Sequence, residues 1–114
     1  MQIEVESKGD VSVVRCGGSL DADSIAAFKK IAYELVDKGA TRLVVDCSNL
    51  TFVDSMGLGV LISLLRRVRQ GNGDVKMASL SDDVKTIFEI TRLHRLFEVC
   101  ADTTTAIKRF GETK

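Results

Sequence analysis

The residues best suited to chemistry are a serine and the aspartate before it, Asp54-Ser55, which directly precede the mostly apolar run from residue 56 to 65. A serine at the start of a helix can accept a hydrogen bond from the unpaired backbone N–H groups there, and it can also take a phosphate. The helix dipole would support the added negative charge, whereas Asp54, and Asp46 if it lies nearby, would oppose it. The spacing alone favours the capping role, and the two roles are compatible.

Two glycines, Gly57 and Gly59, fall within the first turns of the helix predicted to begin at Ser55. Each costs roughly 1 kcal/mol of helix stability relative to alanine, so their presence indicates a close approach to the backbone. Packing of the helix on its own sheet would explain them, and so would a partner docked on the helix. Both explanations stay open.

Other candidates for catalysis lack the neighbours that they would need. The lone histidine, His94, has no nucleophile predicted beside it, and we interpret it as a surface residue. The Gly-x-x-x-x-Gly-Lys loop of NTPases is missing. A receiver domain would need carboxylates at the end of the first strand to hold Mg²⁺ near Asp46 or Asp54, and that hairpin ends in Cys-Gly-Gly. The cysteines, which form no CxxC pair, are interpreted as buried hydrophobes: Cys16, Cys47 and Cys100. The sequence therefore predicts no catalytic residue, no metal site and no cofactor.

The composition is that of a globular domain and argues against several classes of partner. The chain has 114 residues, predicted as one domain over 1–114, and 45% of them are hydrophobic and 28% charged. Basic and acidic residues number 16 each, so we expect no nucleic-acid binding. The apolar run at 56–65 is about half of the roughly 20 residues that span a bilayer, so we expect no membrane insertion. Because charges punctuate the first ten residues, unlike a secretory leader, we expect the protein in the cytoplasm.

Hydrophobic periodicity predicts a β-hairpin followed by a helix at the start of the chain. The hairpin turns at Gly9, and its second strand is predicted to end at Gly17-Gly18. Either Asp21 or Asp23 would cap the first helix, which Gly39 would close. The predicted order of elements in this part of the chain is therefore β, β, α.

Strands and helices alternate through the rest of the chain. The apolar run at 43–45, ending at Asp46, predicts a central strand covered on both faces, followed by a loop from 47 to 54. The later elements are the helix starting at Ser55, a strand at 75–78, a helix capped by Ser81, an edge strand at 96–100 and a closing helix at 103–110. The fold class is α/β, with a mixed, largely parallel sheet of about five strands and about four helices. Asp21, Asp46, Asp54 and Ser55 are expected to gather at the edge where the parallel strands end.

One segment resembles a motif of a known family. The stretch 54–61, Asp-Ser-Met-Gly-Leu-Gly-Val-Leu, is similar to the phosphoacceptor motif of STAS domains, the anti-sigma factor antagonist family. The stretch 18–21, Gly-Ser-Leu-Asp, resembles the entry to the first helix of that family, and the order of elements agrees along essentially the whole chain. Met56 departs from the pattern, since a small serine or alanine is commoner directly after the acceptor serine.

The resemblance implies a non-enzymatic partner switch. In the family, the serine matching Ser55 is phosphorylated by a partner that is both an ATP-dependent serine kinase and an anti-sigma factor, and a PP2C-type phosphatase reverses the modification. The unphosphorylated antagonist binds the anti-sigma factor and frees the sigma factor. Asp21 and Asp54 match family acidic positions beside the acceptor. The predicted partner-binding residues are Asp21, Asp54, Met56, Gly57, Leu58 and Gly59.

A second hypothesis places the chain in the same family but gives it a different role. A STAS domain that is never phosphorylated would serve as a constitutive adaptor or as a scaffold subunit of a larger regulatory assembly. The apolar start of the helix at Ser55 fits either role. For both we expect a monomer or a weak dimer.

Overall fold

A five-stranded sheet forms the centre of the computed structural model, which describes residues 1–112. The strands lie in the order β1-β2-β3-β4-β5, so β3 is central. β1 runs antiparallel to β2, and the other neighbouring strands pair in parallel. The strands are β1 Gln2–Lys8, β2 Val11–Leu20, β3 Arg42–Val53, β4 Asp74–Ala78 and β5 Glu98–Cys100. The predicted mixed, largely parallel sheet is confirmed.

Four α-helices cover the sheet, as predicted. They are α1 Ile25–Asp37, α2 Ser55–Gln70, α3 Asp82–Ile90 and α4 Thr103–Glu112, and a short 3₁₀ helix, Leu93–Arg95, follows α3. Within the described part of the chain, none of these helices has the length and apolar character needed to cross a membrane.

The core has two parts, one on each face of the sheet. The larger part lies under α1, α2 and α3 and includes Phe28, Leu61 and Phe88. The smaller part lies under α4, where Ala106 and Phe110 cover the second face. Since β3 contributes buried side chains to both parts, it is the doubly covered strand that the run at 43–45 predicts: Leu43, Val44 and Val45.

β2 and β3 are longer than the sequence predicts. β2 passes through Gly17-Gly18 to Leu20, and β3 replaces the predicted loop as far as Val53. Register shifts break the β2–β3 pairing on both sides of Gly17-Gly18, and Gly18 has φ +95°. The predicted strand ends were wrong because the glycines form an irregularity within a strand, rather than ending it.

The start of α1 also differs from the prediction. The N-cap position is Ser24, which makes no side-chain cap hydrogen bond. Asp21 instead accepts a hydrogen bond at its side chain from the Asp23 backbone N–H, at 3.0 Å. Capping by Asp21 or Asp23 was therefore wrong, because these residues form a turn before the helix.

Other helix and strand boundaries agree with the sequence more closely. Gly39 follows the end of α1 with φ +102°, and the Ser81 hydroxyl caps α3 by accepting from the Val84 N–H at 3.3 Å. The edge strand begins at Glu98 rather than at residue 96, and the closing helix begins at Thr103 as predicted.

A buried lysine ties β4 to β5. Lys76 lies 3.1 Å from Glu98 and 3.4 Å from Asp74, and its ammonium group sits 4.6 Å from the centre of the Phe110 ring. Glu98 also pairs with Arg109 of α4. The hydrogen bond from Arg109, with help from Lys76, lowers the pKa of the Glu98 carboxyl below its ordinary value of 4.5. Glu98 thus joins β4, β5 and α4.

Replacing Glu98 should weaken the fold in a pH-dependent way. Because its pKa is lowered on folding, its ion pairs stabilise the protein above the ordinary pKa, and that contribution is lost as the pH falls through the folded pKa. We expect Glu98→Gln to lower the free energy of unfolding by about 1 kcal/mol near pH 7 and by less near pH 3. Urea denaturation at the two pH values measures this, with the exposed Glu89→Gln as control. An equal loss at both pH values would contradict the assignment.

Candidate functional site

Ser55 is exposed and is the first residue of α2. The capping residue is Asp54, whose Oδ1 accepts a hydrogen bond from the Gly57 N–H at 2.8 Å. Capping by Ser55 was therefore wrong by one residue, and the Ser55 hydroxyl makes no hydrogen bond to any other residue in the range 1–112. The hydroxyl is free to be modified or to contact another molecule.

Asp54 also fixes the loop between β2 and α1 beside the start of α2. Its Oδ2 accepts a hydrogen bond from the Ala22 N–H at 3.2 Å, and its own N–H donates to the Leu20 carbonyl at 3.1 Å. This loop contains Asp21 and the exposed Asp23. Asp21, Asp54 and Ser55 are thus brought to one end of the sheet, as predicted, and Asp23 is a further acid there.

Asp46 does not belong to this group. It lies within β3, seven residues before Val53, which at the rise of a strand is roughly 20 Å from the end of β3. Its carboxylate is buried and accepts hydrogen bonds from Arg15 Nε at 3.1 Å and from the Ser48 N–H at 3.0 Å. The expectation that Asp46 would lie near Ser55 was wrong because β3 continues past the predicted end.

The two glycines of α2 have different surroundings. A Cβ atom on Gly57 would overlap the Leu20 carbonyl oxygen and lie 2.9 Å from Val53 Cγ1. The close approach at Gly57 therefore lies within the domain, where α2 packs on the ends of β2 and β3. Gly59 is exposed, and a Cβ atom there would have no neighbour within 4 Å. Internal packing does not account for Gly59.

Two large apolar side chains flank Ser55 in the chain and face solvent. Met56 is 52% exposed and Phe52 is 49% exposed, whereas Leu58 is half-buried against the core. Sequence reasoning missed Phe52 because it fell in the predicted loop. The register that pairs Phe52 with Ser19 carried no local signal in the sequence. We call Asp21, Phe52, Asp54, Ser55 and Met56 the Ser55 face.

The remaining titratable candidates are not arranged for catalysis. Burial raises the pKa of the Cys16 thiol to about 12 and holds that of Cys47 well above its usual value, so both stay protonated. His94 is exposed in the 3₁₀ helix. Among residues 1–112, no three His, Cys, Asp or Glu side chains come together in a group that could hold a metal ion. The Ser55 face offers a hydroxyl, carboxylates and apolar side chains, a combination suited to phosphorylation and protein contact.

Comparison with known proteins points to one family. The sequence model of the STAS domain family matches residues 2–106. An anti-sigma-B factor antagonist of Staphylococcus aureus (strain NCTC 8325) is 26% identical over 99 residues, which are 87% of this chain and 92% of that protein.

Solved structures share the fold. An anti-sigma factor antagonist from Mycobacterium paratuberculosis superimposes with a TM-score of 0.87 at 22% identity, over 95% of this chain and 92% of that one. The Bacillus cell fate determinant SpoIIAA, in its phosphorylated form, superimposes with a TM-score of 0.75 at 22% identity, over 96% and 99% of the two chains.

Alanine substitution should change the stability of the protein in opposite directions at the two glycines of α2. Gly57→Ala places a methyl group against the Leu20 carbonyl and should lower the free energy of unfolding by about 1–3 kcal/mol. Gly59→Ala meets open space and should raise it by up to about 1 kcal/mol, because alanine favours the helix. Chemical denaturation followed by circular dichroism measures both. A tolerated Gly57→Ala would mean that α2 is not held against β2 as described.

Proposed function

The chain belongs to the STAS domain family, and from that premise we propose that it is an anti-sigma factor antagonist whose binding to an anti-sigma factor is switched off by phosphorylation of Ser55. The observation that carries the proposal is the exposed, unbonded Ser55 hydroxyl at the start of α2, within three residues of the exposed Phe52 and Met56. The anti-sigma-B factor antagonist named above, similar over most of its length, supports the same role.

Two partners act on this protein in the proposed switch. The first is an anti-sigma factor that is also an ATP-dependent serine kinase, and the second is a PP2C-type phosphatase that removes the phosphate. Both follow from the resemblance of segment 54–61 to the family's phosphoacceptor motif. A kinase must reach the hydroxyl directly, and the exposure of Ser55 meets that requirement.

The charges around Ser55 support a switch that acts on binding. A phosphate would add a dianion beside the Asp54 carboxylate, in a surface that already holds Asp21 and Asp23. The N–H groups of Ser55 and Met56, which have no acceptor among residues 1–112, would offset part of this charge in the free protein. In a complex, desolvation of the phosphate and repulsion between like charges are added. Binding therefore weakens while the fold stays intact.

Phe52 and Met56 are the proposed apolar anchors of the contact. Each has about half of its surface exposed, and neither is needed to fill the described core. Large exposed side chains that become buried on binding commonly dominate the affinity of an interface. With Ser55 between them in the chain, a phosphate would fall within the buried area.

The second candidate function, a constitutive adaptor, is favoured by Met56. An exposed methionine in place of the usual small residue enlarges the apolar surface next to the acceptor serine. In an adaptor, the same face would bind its partner permanently, and Ser55 would only take part in the contact.

Mimicking phosphorylation should weaken binding to the anti-sigma factor kinase encoded nearest to this gene. Ser55→Asp should bind at least about tenfold more weakly than the wild type in calorimetry, because a carboxylate carries part of the phosphate charge. Ser55→Ala should bind like the wild type and should take no phosphate from ATP and the kinase. Thr104→Asp, at an exposed hydroxyl in the first turn of α4, is the matched control and should bind normally.

The result also decides between the two functions. Phosphate transfer to the wild type but not to Ser55→Ala, together with weak binding by Ser55→Asp, supports the switch. Equal and tight binding by the wild type and Ser55→Asp, without phosphate transfer, would overturn the switch in favour of the adaptor. Circular dichroism checks that Ser55→Asp is folded, as expected for an acid at a helix start.

Truncating the two apolar anchors should weaken the same complex. Phe52→Ala and Met56→Ala should each reduce affinity by about tenfold or more, the loss typical of a buried anchor. Val5→Ala removes an exposed apolar side chain on β1 and is the control, with no expected effect. Because neither anchor is in the described core, unfolding free energies should change little. Unchanged affinity in both variants would place the contact elsewhere.

A further inference from the structure

The arginines of this chain divide into a paired and an unpaired set. The paired arginines form salt bridges with carboxylates and are Arg15, Arg42, Arg67, Arg69 and Arg109. For Arg66, Arg92 and Arg95, no carboxylate lies within 4.0 Å in the part of the chain that the structure describes. All three unpaired side chains are exposed. Their charges are therefore available to another molecule.

The three unpaired arginines lie in one region. Arg69 Nη2 donates a hydrogen bond to the Leu96 carbonyl at 2.8 Å, and Arg66 is one helical turn before Arg69 on α2. Arg92 and Arg95 are joined by the Arg95 N–H donating to the Arg92 carbonyl at 3.1 Å. The end of α2 and the 3₁₀ helix thus present their arginines on neighbouring surfaces.

Two exposed apolar side chains accompany these arginines. Ile90 is 76% exposed, which makes it the most exposed large hydrophobic residue in the part of the chain that the structure describes. Leu96 is 42% exposed. We call Arg66, Ile90, Arg92, Arg95 and Leu96 the basic patch. Isolated exposed hydrophobics are ordinary, but Ile90 and Leu96 lie on either side of the unpaired Arg92 and Arg95 in the chain. Protein interfaces favour arginine and apolar side chains together.

The basic patch is separate from the Ser55 face. Arg66 lies eleven positions after Ser55 in α2, which at the rise of a helix is roughly 16 Å. The Ser55 face carries the acids Asp21 and Asp54, whereas the segment from 89 to 96 carries two arginines, Arg92 and Arg95, and one acid, Glu89. The two surfaces therefore differ in the charged residues that they carry.

We propose that the basic patch binds an acidic protein segment that also carries apolar side chains. Carboxylates of such a segment would pair with the unpaired arginines, and its apolar side chains would cover Ile90 and Leu96. A nucleic acid or an anionic membrane is less favoured, because a chain without net charge attracts an extended polyanion weakly. The patch and the Ser55 face could then be occupied together, so that the protein bridges two partners.

The probe for this proposal is a synthetic peptide that places leucines and glutamates at helical spacing. Titrated into the isotope-labelled full chain, it should shift the amide signals of residues 90–96 rather than those of residues 51–59. The combined Arg66→Gln, Arg92→Gln and Arg95→Gln variant should bind about tenfold more weakly, as should the wild type at high salt. Ile90→Ser should also weaken binding. Lys30→Gln, at an exposed cation on α1, and Ser55→Asp are controls that should bind like the wild type.

Three outcomes would overturn the proposal. The first is equal peptide binding by the wild type and the arginine variant, or amide shifts confined to the Ser55 face. The second is binding to phosphatidylglycerol vesicles that depends on these arginines, without binding to the peptide, since the occupant would then be a lipid surface. The third is concentration-dependent self-association that the arginine variant abolishes, since the occupant would then be a second copy. The Ser55→Asp variant distinguishes failure of this proposal from failure of the proposed switch, because only the switch depends on Ser55.

Discussion

The geometry of the functional surface depends on two hydrogen bonds that the Asp54 carboxylate accepts. One oxygen holds the first turn of α2 through the Gly57 N–H, and the other holds the loop after β2 through the Ala22 N–H. A single acidic side chain thus joins two segments that are about thirty residues apart, on the order of a third of the chain. These two hydrogen bonds add to the bond from the Asp54 N–H to the Leu20 carbonyl and position Ser55 relative to the acids of that loop.

Features set by neighbouring residues could be predicted from the sequence, because their causes are local. Gly39 ends α1, and Ser81 caps α3, through bonds that reach only a few residues along the chain. The alternation of strands and helices gave the fold class by the same kind of local pattern. The gathering of Asp21, Asp54 and Ser55 followed from the rule that parallel strands end at one edge.

The features that sequence reasoning missed depend on pairing between distant segments. β2 and β3 extend each other beyond Gly17, where Gly17 lies opposite Asn49 and Ser19 opposite Phe52. Nothing local marks these partners, so the strands were predicted to end early. The same error placed Asp46 beside Ser55 and hid Phe52 in a loop. The early strand ends, the misplaced Asp46 and the hidden Phe52 therefore share one cause, the length of a β2–β3 ladder that only the folded chain defines.

The missing side chain at Gly57 has a consequence for how this surface could carry a signal. α2 rests directly on the Leu20 carbonyl, without room for even one more carbon atom, so the helix cannot move closer to the sheet at this point. A modification at Ser55, the first residue of α2, is therefore not expected to move the helix towards the sheet. Close packing at this point favours a modification that partners detect by its charge over one that they detect by an inward movement of the helix.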